Sequence, residues 1–114
     1  MSAHTVAVRS HPRCLGHAPG LGHPESGRRV QVILDALEAG AKGRWTVDRQ
    51  APLPPDEDVV GVLKWIHDPE YIDRVRRAAD EGSGWLDTHD CRVSTGTWEA
   101  ALAAAGLALN AALD

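Results

Sequence analysis

Three groups of side chains in this sequence could carry chemistry. The first is His11, Cys14 and His17, at a His-x2-Cys-x2-His spacing, with His23 close behind. Imidazole and thiolate are borderline and soft ligands that suit zinc. Structural zinc sites, however, pair their ligands across two turns or across a turn and a helix, and this spacing matches none of the common schemes, so the four residues read as polar loop positions. The second group is Asp87-Thr88-His89-Asp90, which sets two carboxylates around an imidazole. That composition suits proton transfer, and it is equally ordinary in a solvated turn. The third is Arg28-Arg29 at the start of a predicted helix, where positive charge opposes the helix dipole and invites a functional explanation. No Ser/His/Asp set, phosphate-binding glycine loop or basic-aromatic stripe is evident.

The elements that must position these groups can be read from hydrophobic spacing. Thr5 to Arg9 alternates around Val6 and Val8 as a short strand does, and a Gly/Pro/His-rich loop follows from Ser10 to Pro24. Loops of that length inside a compact domain are commonly functional, which makes this one a candidate site wall. Val30, Ile33, Leu34 and Leu37 predict an amphipathic helix that stops at Gly40. Arg44 to Arg49 reads as a second short strand, ended by Pro52, Pro54 and Pro55. Val59, Val62, Leu63 and Ile66 mark a short helix. Asp68-Pro69 is a cap and first-position signal for another, with Ile72, Val75 and Ala79 inward and glycines 82 and 84 at its end. The last helix begins near Ser94-Thr95-Gly96 and carries the stripe Trp98, Leu102, Ala105, Leu109 and Leu113. It has a start signal and no stop signal, as an interrupted helix would.

The 114 residues make one domain at most, and 43% apolar with 25% charged residues is ordinary for a folded chain. A net charge of -4 gives no reason to expect nucleic acid or anionic lipid as a partner. No run approaches the ~20 apolar residues of a membrane span, and the start lacks a secretory pattern, so the chain is expected in the cytoplasm. Cys14 and Cys91 are accordingly expected as free thiols.

Three segments, in order along the chain, resemble the histone deacetylase superfamily, especially its bacterial acetoin-utilisation and acetylpolyamine amidohydrolase branches. Gly22-His23-Pro24-Glu25-Ser26-Gly27-Arg28-Arg29 resembles the family's early HPE-x-P-x-R segment, with glycine where proline is common. Ile66-His67-Asp68-Pro69-Glu70-Tyr71-Ile72 resembles VHDP-x-YI. Leu86-Asp87-x2-Asp90-Cys91-x-Val93-Ser94-x-Gly96-Thr97-Trp98-Glu99-Ala100-Ala101 resembles the stretch that opens the next long helix. The resemblance implies an α/β chain, the amino-terminal part of a three-layer arginase/deacetylase-like fold, mostly helical with one or two short strands, with residues 1–114 as one partial domain.

The function implied is hydrolysis of acyl amides (acetylated lysine, polyamine or another small acyl-amine) to amine plus acetate. In that family zinc, held by two aspartates and a histidine, is the cofactor, and a histidine pair manages protons. The His-His and zinc-binding segments do not occur in these 114 residues, and Tyr71, the one tyrosine, stands in a different motif. Hence no catalytic residue and no metal ligand is assigned, no zinc is expected on this chain, and it is expected to be an incomplete member without activity of its own. Asp90 resembles the rim aspartate that binds substrate amides, and Arg29 the arginine lining the channel through which acetate leaves. The loop from His11 to His23 would form part of the tunnel rim. The alternative is a standalone, non-catalytic binding module derived from the same fold.

Overall fold

The structure, a computed structural model, describes residues 5–18, 26–82 and 84–114, and only the main chain of 88–90. Strands β1 (Val6–Arg9) and β2 (Trp45–Asp48) pair in parallel, from Val6 opposite Trp45 to Arg9 opposite Asp48. Parallel neighbours need a crossover, here a 3-10 turn (Pro12–Gly16) followed by helix α1 (Gly27–Gly40). α1 buries Leu34 and half-buries Leu37, and the Trp45 indole donates to the Leu37 carbonyl at 2.7 Å, fastening the helix end to β2.

Helix α2 (Asp56–Leu63) opens with Asp56, Glu57 and Asp58, three carboxylates at the positive end of its dipole, and buries Val59. Ile66, expected on this helix's inner face, lies past its end in a turn and is 82% exposed. The sequence spacing continued one turn further than the main chain does. Helix α3 (Pro69–Glu81) starts as its residues dictate: Asp68 accepts from the Glu70 N–H at 2.8 Å with Pro69 behind it, and Gly82 closes the helix at φ 61°.

Strands β3 (Trp85–Leu86) and β4 (Thr88–Arg92) form an antiparallel pair, an addition to the one or two short strands expected. The reversal runs through Asp87 at φ 61°, with Gly84 at φ 91° just before β3, so a segment that reads as a solvated turn folds back on itself. Helix α4 (Thr97–Leu113) then packs on the 3-10 turn, α2 and α3. Its buried face is Ala100, Leu102, Ala103, Gly106 and Leu107, whereas Leu113 of the expected stripe is exposed. Large apolar residues alone misplace this face. The small residues permit the closest approach: a Cβ on Gly106 would lie 3.0 Å from Pro54 Cδ.

Candidate functional site: a pocket between the 3-10 turn and the start of α1

The 3-10 turn is held from several sides. His11 Nδ1 accepts from the Arg13 N–H at 3.1 Å and caps it. Arg13 crosses from the turn to Glu99 on α4 and to Asp56 on α2 at 3.4 Å. His17 Nδ1 lies 2.8 Å from Thr97 Oγ1, which also accepts from the Ser94 N–H at 2.7 Å, and Ser94 Oγ accepts from the Ala18 N–H at 3.0 Å. Main chain meets main chain at two glycines. A Cβ on Gly27 would stand 2.7 Å from the Leu15 carbonyl oxygen, and one on Gly96 only 2.1 Å from that of Gly16. Glycine is required at both places because no side chain fits between the crossing chains.

This arrangement leaves a pocket of about 320 Å³ between the turn and the first turns of α1, lined by Cys14, His17, Ser26, Gly27, Arg29, Val30 and Ile33. Ser26 makes no side-chain cap to α1, and the first turn of that helix carries no acidic residue. Arg29 therefore adds its charge to a partly positive helix start that no side chain caps among the described residues. The walls are apolar at Val30 and Ile33 and cationic at one point.

The sequence-derived residues fall in separate places. Arg29 lies in this pocket. Asp90 lies on β4, with its side chain outside the described residues, as are the side chains of Thr88 and His89. Asp87 is paired with Arg74 of α3 through contacts of 2.9 and 2.7 Å. Cys14 and Cys91 are both free thiols, Cys14 half-buried in the pocket and Cys91 exposed. His23 lies outside the described residues, as do Gly22, Pro24 and Glu25 of the same segment. Three residues that tie the turn down had no role assigned from sequence: Arg13, Ser94 and Thr97. For Ser94 and Thr97 a signal existed, since hydroxyls three apart at a helix start are cap chemistry.

His11 and His17 engage their Nδ1 atoms with the turn and with Thr97. Among the described residues no three His, Cys, Asp or Glu side chains group closely enough to hold a metal ion.

A glycine-pinned turn against two helix starts, preceding the long helix, accompanies a family match. The histone deacetylase domain profile matches residues 23–114, and the chain belongs to the histone deacetylase family. It is 37% identical over 103 residues to a histone deacetylase-like amidohydrolase of Pseudomonas aeruginosa, a match covering 90% of this chain and 24% of that protein. It is 31% identical over 108 residues to histone deacetylase 8 of Arabidopsis thaliana, covering 84% of this chain and 26% of that one. The chain thus spans about a quarter of the length of these relatives.

Proposed function

We propose that this chain is the amino-terminal part of a deacetylase-type amide hydrolase, contributing substrate-rim and product-channel residues rather than the reacting centre. The observation that carries the reading is the pocket in which Arg29 and the uncapped start of α1 converge beside Val30 and Ile33. Acetate, the acid product of such a hydrolysis, has both features the pocket complements. Its carboxylate suits a planar guanidinium, and its methyl suits the aliphatic wall. Asp90, on β4, acts at the other end of the reaction by accepting hydrogen bonds from amide N–H groups of the acyl-amine substrate.

The reaction class comes from the relatives' names, an amidohydrolase and a deacetylase, together with the three matched segments. Zinc is the cofactor of the parent activity and its ligands are sought outside this chain. The substrate is an acetylated lysine, a polyamine or another small acyl-amine. Neither nucleic acid nor membrane is a partner, in keeping with the net charge of -4 and with the absence, among the described residues, of a helix long and apolar enough to cross a membrane. Cytoplasmic residence is part of the same proposal. The chain by itself hydrolyses nothing.

The test is titration of the chain with acetate, followed by NMR shifts of the α1 amides. Saturable shifts near Gly27 to Val30, weakened about tenfold or more in Arg29→Gln, are expected for a lost charge-assisted pair of ~1.5–3 kcal/mol. Shifts equal in the two proteins would reject the channel role. Release of acetate from an acetyl-lysine peptide by the chain alone would reject the assignment of the reacting centre elsewhere.

A further inference from the structure

A second cavity, of about 160 Å³, lies where α2 and α3 come together on α4, and it shares no lining residue with the pocket that holds Arg29. Its apolar walls are Val60 from α2, Pro69 and Ile72 from α3, and the half-buried Trp98 from α4. Its polar side chains are Lys64, Asp73 and Arg76. Asp73 is the one carboxylate among them, and both its oxygens are taken. Oδ1 accepts from Arg76 at 2.6 Å, and Oδ2 lies 3.0 Å from Arg77 Nε. The Lys64 ammonium and the Trp98 indole N–H have no partner among the described residues, and Arg76 uses one of its five donors on Asp73. The side chains of the cavity thus present donors and positive charge with no acceptor left over.

We infer that this cavity is a binding site for a small aromatic carboxylate, with its ring against Trp98 and its carboxylate answered by Lys64 and Arg76. Volume sets the size of the ligand. An apolar cavity of about 150 Å³ accommodates one benzene ring, whereas drug-sized ligands occupy roughly 300 Å³ or more, so a nucleotide or an extended peptide is too large. The walls set its character. Inorganic phosphate would leave four apolar side chains against water, and an uncharged ring would leave Lys64 unanswered. A carboxylate accepts without donating and complements both cations, while the ring stacks on or meets the edge of the indole.

Benzoate is the probe. The full chain is titrated with it while the Trp98 indole N–H signal is followed by NMR, identified as the signal missing from Trp98→Phe. A saturable shift in the millimolar range is expected for so small a ligand. Benzamide, with the same ring and no charge, should bind at least tenfold more weakly. Lys64→Gln and Arg76→Gln alter exposed side chains, so circular dichroism should stay as it was. Each should weaken benzoate about fivefold, the loss of one solvent-facing charge contact, without changing benzamide. Arg29→Gln should leave the benzoate titration unaltered, which separates this site from the proposed acetate pocket, and failure of acetate to bind there would leave the benzoate result standing. A shift that never saturates, equal affinity for benzoate and benzamide, indifference to both Lys64→Gln and Arg76→Gln, or a loss in Arg29→Gln would each overturn the proposal.

Discussion

Asp90 and Asp87 stand three residues apart in different main-chain settings. Asp87 forms the reversal between β3 and β4 and is committed to Arg74, whereas Asp90 belongs to β4. In a chimera that restores an active hydrolase by adding the remainder of the Pseudomonas aeruginosa relative, Asp90→Ala should lower kcat/KM by roughly ten- to a hundredfold, the effect of losing a charge-assisted hydrogen bond to substrate. Metal content, measured alongside, should not change. Asp87→Ala removes an exposed ion pair and should cost no more than ~1 kcal/mol of stability, with kcat/KM nearly unaltered. A second charge cluster concerns stability alone. The hydrogen bond from Arg49 holds the Glu38 carboxyl below the ordinary glutamate range, and the Glu38 and Asp35 carboxylates raise Arg49. Because the folded state lowers Glu38, its stabilising share is present above the unfolded value and is lost as pH falls through the lowered one. Melting temperatures followed into the acid range should show a shallow decline that Arg49→Gln removes. All three groups lie at the surface, so the effect is small.

At the scale of elements, two glycines in helical settings make opposite predictions. Gly96 starts α4 where a Cβ would collide with the main chain of Gly16 at 2.1 Å, and neither partner can rotate away. Gly96→Ala should therefore cost more than the ~1–3 kcal/mol of ordinary overpacking, seen as a large fall in melting temperature and release of the 3-10 turn. Gly61, inside α2, has nothing within 4 Å of a would-be Cβ and is exposed. Gly61→Ala should stabilise by ~0.5–1 kcal/mol through helix propensity and the unfolded chain. If both substitutions proved neutral, the crossing of the turn over α4 would be wrong. Gly27 and Gly96 both fall within segments that resemble the family.

Taken whole, the molecule leaves much of its apolar surface uncovered. Trp65 and Ile66 are 83% and 82% exposed, Val32 and Ile33 on α1 are over half exposed, and Val6 stands open on β1. Exposed apolar surface of this kind marks interaction sites or promotes association. The isolated chain should bind a hydrophobic dye and unfold over a broad temperature range, and Trp65→Ser with Ile66→Ser should reduce the dye signal without lowering the melting midpoint, since neither side chain is packed. A sharp cooperative transition with no dye binding would favour the standalone module over the partial domain.

The sequence by itself determined whatever depends on near neighbours. The start of α3 follows from Asp68-Pro69 and its end from Gly82, β2 from Arg44 to Arg49, the two free thiols from their separation, and the family from three short motifs. Capping, turn chemistry and β-alternation act over a few residues, so they are legible in a linear text. The tertiary structure decided what depends on distant contacts. It set Ala100, Ala103, Gly106 and Leu107 beside Leu102 of the expected stripe on the buried face of α4 and left Leu113 exposed, because alanine and glycine let α2 and the 3-10 turn approach closely while hydropathy ranks them low. It folded Trp85 to Arg92 into an antiparallel pair where local composition reads as a turn. It also brought Arg29, Cys14 and His17 to one pocket, an encounter that requires the loop to cross both helix starts at Gly27 and Gly96, where only the absence of a side chain lets two backbones meet.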